Sequence, residues 1–250
     1  MNIAKIYRYP VKGLSAEALQ RVSVVPGEGL PSDRRYALAH GSTAFDPSEP
    51  AWMPKHNFLM LAKNERLAKL ETKFDDATAT LTVARNGKQV ASGDLSSQTG
   101  RMTIESFFAA FMTGETRGNP KLVEAPGHMF SDTARKVVSI IGLASVADVE
   151  RVARASVDPL RFRANIYFEG GKPWEEFDWL DREVAIGDVR LKIHKRIDRC
   201  AATTVNPATA ERDLQIPRLL QHGFGHIDCG VYAEILNEGE IAQGDALRVI

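Results

Sequence analysis

Cys200 and Cys229 are the only thiols in the chain. Two thiols cannot build a zinc or iron–sulfur site of four thiolates, so each is a core filler, a reactive thiol or a lone metal ligand. Cys200 lies just past a strand-like run, in Asp198-Arg199-Cys200-Ala201-Ala202-Thr203-Thr204, with Lys192, Lys195, Arg196 and Arg199 crowding it. Positive neighbours lower a thiol's pKa and favour the thiolate, the form that attacks or binds metal. The plainer alternative is a buried cysteine acting as a small hydrophobe. A second set of cations, Lys12, Arg34, Arg35, Arg161 and Arg163, falls at corners between strands and loops. Cations gathered at loop ends can hold phosphate, and arginine does so with two parallel hydrogen bonds. Taken singly, each is more commonly a solvated surface charge. His222 and His226 have a spacing that would suit a metal on a helix, but Gly223 and Gly225 between them argue against one. No Walker loop, dinucleotide glycine fingerprint or Gly-x-Ser-x-Gly elbow is present. The acidic pairs Asp75-Asp76 and Glu175-Glu176 read as solvated loop charges.

The elements that must position these residues are mostly short strands. Ile3 to Tyr9 alternates with period two and stops at Pro10, which places Lys12 at a strand-to-loop corner. Val22–Val24 and Arg35–Ala39 follow as strands. Leu67–Leu70 and Thr80–Val83 are expected to pair, and Asn86-Gly87 signals a tight hairpin. Ile104, Phe107, Phe108 and Phe111 share one helical face, predicting a helix over about 104–112. Thr113–Gly127 reads as a linker. Val137–Ile141 predicts a buried strand, and Ser145 with Asp148 predicts a helix start with Ser145 as N-cap. Val184–Val189 leads through Gly187-Asp188 into Arg190–His194. Val231–Leu236 is expected to pair with Ala246–Val249. Many short strands with few helices point to barrels or curved sheets.

The chain has 250 residues, 44% hydrophobic and 26% charged, which excludes disordered and fibrous classes. Lys plus Arg is 32 and Asp plus Glu is 32, so no global nucleic-acid or membrane footprint exists. No apolar run reaches the length of a membrane span, and the first ten residues lack the apolar core of a signal peptide. A cytoplasmic monomer is the expectation, with no nucleic-acid or membrane partner.

Several separated motifs, in order, resemble the MOSC family. Tyr9-Pro10-Val11-Lys12-Gly13-Leu14, Gly29-Leu30 and Asp33-Arg34-Arg35-Tyr36 look like its N-terminal β-barrel half. Arg161-Phe162-Arg163-Ala164-Asn165-Ile166 looks like its Phe-Arg-Pro-Asn signature. Asp188-Val189, Arg199-Cys200, Thr203-Thr204, Asn206-Pro207 and Thr209 follow its cofactor-binding segment, and Gly230–Glu234 with Gly239, Gly244 and Asp245 resembles its end. Members with this two-part layout include the mitochondrial amidoxime-reducing component and bacterial relatives.

The resemblance implies a mainly β protein with some helix, an α+β fold. A smaller N-terminal β-barrel-like domain over 1–115 would precede a MOSC β-barrel domain over 116–250. It implies a molybdenum–molybdopterin cofactor with Cys200 as its thiolate ligand, and no pyridoxal phosphate. Lys12, Arg34 and Arg163 match positions that hold the pterin and its phosphate. Gly13, Ser145, Asn165, Arg199, Thr203 and Tyr232 are further expected contacts, and Asp198 a candidate proton relay beside Cys200. The chain departs from the family at Gly13 and Asp198, where serine is common, at Ala164 for the signature proline, and at Ala210 for a turn glycine. The implied reaction is reduction of a small N-hydroxylated or N-oxygenated compound. Electrons would come from a separate flavin reductase, cytochrome or ferredoxin, since no flavin motif is visible. The alternatives are a cofactor carrier or sulfur-transfer module without turnover, and a β-protein that has lost the cofactor.

Overall fold

The computed structural model describes residues 1–125 and 127–250, so Pro126, inside the expected linker, lies outside the described residues. β1 (Asn2–Arg8) forms from the first alternating run, but its register slips between Ile3 and Lys5. The bulge lets Ile3 and Ile6, three apart, both face the core. β2 (Glu17–Leu19), β3 (Arg21–Val24) and β4 (Tyr36–Ala39) follow. β5 (Glu71–Asp75), β6 (Thr80–Arg85) and β7 (Lys88–Asp94) make a three-stranded meander. Its second turn is Asn86-Gly87, both at positive φ, as a two-residue hairpin of this twist requires. The partner of β6 is β5, not the expected Leu67–Leu70. Residues Glu65–Lys69 instead form a 3-10 turn that buries Leu67.

α1 (Gln98–Phe111) starts six residues before the expected position. The Ser97 hydroxyl caps it by accepting from the Gly100 N–H at 3.0 Å. Its apolar face carries Ile104, Phe108 and Phe111 into a core with Leu81, Val83 and Leu95. Gly100 is required there, because a Cβ would come within 2.0 Å of the Asp94 carbonyl oxygen. The expected linker contains a strand, β8 (Lys121–Glu124), paired with β4.

The second half begins with β9 (Val138–Gly142), buried at every position, and α2 (Leu143–Ala153). β10 (Ile166–Glu169), β11 (Glu183–Ile186), β12 (Val189–Asp198), α3 (Ile216–Phe224), β13 (Asp228–Ile235), β14 (Gly239–Ala242) and β15 (Leu247–Val249) complete the chain. Eight strands form one sheet in the order β15-β11-β12-β13-β9-β10-β1-β2. β9 and β10 pair in parallel, which α2 makes possible as the crossover. The N-terminal strands β1 and β2 thus complete a sheet otherwise built from the second half. β13 pairs with β12 and β9, while β15 pairs with β11, so the expected pairing of Val231–Leu236 with Ala246–Val249 is replaced. Strand pairing depends on which apolar faces meet in space, and chain proximity misled here. One face of the sheet buries Ile140, Ile166, Leu191 and Val231. α2 and α3 pack a second core of Ile141, Val149, Tyr167, Leu220 and Cys229. Among the described residues the protein is therefore mostly β with three α-helices, the class its sequence implied. No described helix is long and apolar enough to cross a membrane.

Two local expectations change. α3 includes His222 and Gly223 and ends at Gly225, so a helix does reach His222 despite its glycine. Ser145 is not an N-cap: α2 starts at Leu143 with Gly142 as cap. The buried Glu176 carboxylate takes that role, accepting from the Gly142 N–H at 3.3 Å and the Ser145 hydroxyl at 2.8 Å. A carboxylate is favourable at a helix N-terminus, although burial pushes the pKa of Glu176 up.

Candidate functional site

β12 delivers the site. Leu191 and Ile193 face the core, and then the register shifts twice against β13, after Ile193 and after Arg196. These irregularities leave Lys195 and Arg196 both exposed and bring Lys195, Ile197 and Asp198 to the wall of a cleft of about 440 Å³. Cys200 follows, half-buried in that wall, at the head of a 3-10 turn, Ala201–Thr204. Thr203 closes the turn: its N–H and hydroxyl donate to the Cys200 carbonyl at 3.1 and 2.9 Å. Thr203 therefore fixes the cysteine's backbone.

The facing wall comes from the start of the chain. Lys12 sits after β1 and is buried, 8% exposed, its ammonium donating to the Phe130 carbonyl at 3.0 Å and to Asp132 at 2.5 Å. Burial pulls its pKa down, partly countered by Asp132. Gly13 beside it has φ +82°, and a Cβ there would lie 3.2 Å from the Leu59 carbonyl oxygen. Serine at this position would be strained, a backbone reason for that departure from the family pattern.

Arg34 and Arg163 both hold left-handed backbone, φ 49° and 52°. Such conformations cost energy in non-glycine residues and persist where surroundings impose them. Arg34 is ion-paired to buried Asp33 and donates to the Arg163 carbonyl at 2.8 Å. Arg163 donates to the Leu14 carbonyl at 2.7 Å. Both guanidinium carbons lie over the Tyr9 ring, at 4.5 and 4.3 Å, which lets two like charges share one buried region. Burial works against the Arg34 charge, but Asp33 and Tyr9 more than offset it, so its pKa rises. Arg163 is less well compensated: burial pulls it down to about 10.

Asn165 and Arg199 line the cleft but have their polar atoms engaged elsewhere. The Asn165 side chain accepts from the Ser139 N–H and hydroxyl at 3.1 and 2.9 Å and donates to the Tyr7 carbonyl at 3.2 Å. It ties β9, β10 and β1 together behind the site. Arg199 points away from Cys200, donating to the Phe162 and Cys229 carbonyls, each at 2.8 Å. It thereby braces the residue preceding Arg163. Tyr232, on β13, lines the cleft with the Lys195 ammonium 5.8 Å from its ring centre. Ser145 stands apart: its hydroxyl is fully buried between Glu176 and the Trp174 N–H and does not line the cleft. The other ten expected residues, Asp198 included, line it.

Three contributors carried no sequence signal. Lys55 lines the cleft with Cys200; burial lowers its pKa, but Cys200 and Asp132 raise it further. It follows Trp52-Met53-Pro54, a segment without a recognisable pattern. Asp132 bridges Lys12 and, at 3.9 Å, Lys55. Arg212 joins the two halves: it donates to the Ala201 carbonyl at 3.0 Å and the Thr204 hydroxyl at 2.8 Å beside Cys200. From the first half it takes the Leu61 and Ala62 carbonyls, both at 3.1 Å, and Glu65 at 3.0 Å.

The cleft thus presents one accessible thiol among a surplus of buried cations. Among the described residues no group of three His, Cys, Asp or Glu side chains could hold a metal ion unaided. A metal held at Cys200 would have to arrive with its other ligands attached, and an anionic ligand would suit the cations.

Comparison with known proteins agrees with the motifs. The MOSC N-terminal beta barrel domain matches residues 1–132, and the MOSC domain matches residues 125–248. Human mitochondrial amidoxime-reducing component 1 is 29% identical over 133 residues, covering 48% of this chain and 38% of the human protein. The molybdenum cofactor sulfurase of Anopheles gambiae is 34% identical over 86 residues, covering 33% of this chain and 11% of that protein. The matched stretches thus span well under half of these relatives. Among solved structures, the YUAD protein from Bacillus subtilis covers 99% of this chain and 94% of its own, with a TM-score of 0.47 and 11% identity. The two domain matches together span nearly the whole chain, and this protein belongs to the MOSC family.

Proposed function

We propose that the protein is a molybdenum-cofactor-dependent oxidoreductase that reduces small N-hydroxylated or N-oxygenated compounds with electrons from a separate protein. The observation that carries this reading is a lone, half-buried thiol in a cleft lined by Lys12, Arg34, Lys55 and Arg163. A soft metal centre that already carries a dithiolene accepts one further thiolate, and Cys200 would supply it. Lys12, Arg34 and Arg163 would hold the pterin and its phosphate, whose charge offsets the burial of these cations. Gly13, Thr203 and Tyr232 would shape the pocket, and Asn165 and Arg199 would hold its walls in register. The cofactor supplies the two-electron redox chemistry when bound. Asp198, exposed two residues before Cys200, would pass protons between solvent and substrate. Lys55 would place a positive charge beside the Cys200 sulfur. The human and mosquito relatives, an amidoxime-reducing component and a molybdenum cofactor sulfurase, support the reading.

The test has two arms. Protein made in a host that synthesises molybdenum cofactor is assayed for molybdenum and pterin, then for amidoxime reduction with a reduced artificial donor or a reductase pair. The expected result is bound metal, turnover with the donor, and none with a nicotinamide cofactor alone. Bound metal without turnover would favour a carrier or sulfur-transfer role; absence of both would overturn the proposal.

A further inference from the structure

The eight-stranded sheet has an outward face at its β15-β11-β12-β13 end. Along these strands Leu247, Val184, Leu191, Ile193 and Ala233 point into the first core. Successive side chains of a strand alternate, so the residues between them point out. They are Arg248 on β15, Glu183 on β11, Arg190, Lys192 and His194 on β12, and Glu234 on β13. The pairing sets Lys192 opposite both Glu183 and Glu234, and Arg190 and Arg248 on either side of Ala185. After the slip in β12, Lys195 comes opposite Tyr232. Both of these line the cleft, so this face runs directly into the wall that holds Cys200.

The chain is neutral overall, but this face is not. Glu183 is taken by Arg190 at 2.5 Å. Glu234 meets His194 Nε2 at 2.8 Å, and Arg135 lies 3.3 Å from the other ring nitrogen, contacts that a neutral imidazole satisfies. The Lys192 ammonium donates to the Asp181 carbonyl, and the Lys195 ammonium lies 5.8 Å from the Tyr232 ring centre. Among the described residues, Arg135, Lys192, Lys195 and Arg248 have no carboxylate within ion-pairing distance. Arg135, Lys195 and Arg248 are exposed. Asp198 and Asp228 stand opposite each other at the far end of β12 and β13. Leu236, 38% exposed, follows β13 and donates its N–H to the Arg190 carbonyl at 2.9 Å, so an apolar side chain adjoins the charges.

We propose that this face is the docking surface for an acidic electron-transfer protein that serves the cleft. The inference rests on the function proposed above, which draws electrons from a separate protein. A local excess of cations on a neutral molecule steers an acidic surface toward it. Redox encounters bury little area, so a patch a few strands wide is enough. A nucleic acid or a lipid headgroup layer would meet Glu183 and Glu234 among the cations and gain nothing from Leu236. A protein surface can match all three, with an apolar contact inside a charged rim. Lys195 belongs to both the face and the cleft wall, so a docked carrier lies beside the cleft of Cys200.

Protein from the cofactor-competent host is mixed with a chemically reduced, acidic two-iron ferredoxin as the probe and with a basic c-type cytochrome as the control. Binding is read by biolayer interferometry, and turnover by amidoxime reduction. Ferredoxin is expected to bind and the cytochrome is not. Ferredoxin affinity should fall by about tenfold or more between ionic strengths of about 0.01 M and about 0.15 M, as the screening length drops from about 30 Å to about 8 Å. Arg135→Glu with Arg248→Glu, and separately Lys192→Gln, alter face residues that do not line the cleft. The double variant is expected to weaken ferredoxin by about tenfold or more at the lower salt, and Lys192→Gln by less. Both should leave turnover with a reduced viologen unchanged. Thermal melts identify any variant that has lost its fold, and either variant alone suffices. Ferredoxin binding that is absent in wild type, unchanged in both folded variants, or matched by the cytochrome overturns the docking surface. RNA or anionic vesicles that bind as tightly as ferredoxin, and are lost in the same variants, overturn the protein partner. Viologen turnover without ferredoxin binding removes the surface and keeps the reductase reading. Ferredoxin binding that responds to the variants, in a protein that turns over with no donor, keeps the surface and removes that reading.

Discussion

The two cysteines are opposite outcomes for one residue type, and they sit close together. Cys200 is half-buried at a loop in a cation-lined cleft. Cys229 is fully buried on β13 among Ile141, Val149, Tyr167 and Leu220. Burial pushes the Cys229 thiol up to about 12, only partly countered by Arg199. Arg199, the sequence neighbour of Cys200, actually serves the other cysteine by binding its carbonyl. Charge near a thiol along the chain is therefore a poor guide to charge near it in space. The cations that bear on Cys200 come from elsewhere, Lys55 foremost.

The largest expected difference is in thiol chemistry. At pH 8 a thiol titrating near 12 is ionised in about one molecule in ten thousand, and the thiolate is the nucleophile. In native protein, iodoacetamide should label Cys200 and leave Cys229 untouched until the chain unfolds. Peptide mapping after a timed pulse checks this, and equal labelling would erase the contrast.

Next in size is the loss on removing the site cysteine. Cys200→Ala should lower reductase activity by more than the roughly 10–100-fold that loss of an outer-shell partner costs. Cys229→Ala should leave activity near wild type, apart from any loss of folded protein. Steady-state assays with a reduced donor, normalised to folded protein, compare the two.

Stability against pH sharpens the comparison from the other side. The unfolded chain ionises Cys229 above its ordinary value of 9.0, while the folded chain keeps the proton until about 12. Between these values the folded state binds more protons, so stability falls as pH rises, by about 1.4 kcal/mol per pH unit at most. Cys229→Ala removes that term. Its stability deficit relative to wild type should therefore shrink steadily above pH 9, as read by denaturant titrations. A deficit constant from pH 8 to 11 would mean that Cys229 is less sequestered than the structure indicates.

A smaller effect is expected at Arg212, which holds the turn after Cys200 to Leu61, Ala62 and Glu65. Arg212→Ala should cost about 1.5–3 kcal/mol, the range for hydrogen bonds to a charged group. It should also speed labelling of Cys200 without exposing Cys229.

Much of the scaffold was legible because alternation and helical spacing record burial directly. The apolar face of α1 and the Asn86-Gly87 hairpin are examples. Strand partners were not, since the sequence around Val231 does not state which face of which strand it meets. The cations Lys12, Arg34 and Arg163 were legible through family spacing, although their left-handed backbone and shared Tyr9 ring were not. Ser145 misled because a serine before an acidic residue suggests a cap, whereas Glu176, thirty-one positions later, holds its hydroxyl. Lys55, Asp132 and Arg212 had no signal, because each acts through a contact formed only by the fold.

The central claim is that Cys200, and not Cys229, is the protein's ligand to a molybdenum centre. It is tested most directly by molybdenum content. Wild type, Cys200→Ala and Cys229→Ala are made side by side in a host that synthesises the cofactor, and metal is measured per folded chain. The account predicts comparable molybdenum in wild type and Cys229→Ala and a large loss in Cys200→Ala. Equal molybdenum in all three, or loss confined to Cys229→Ala, would contradict it.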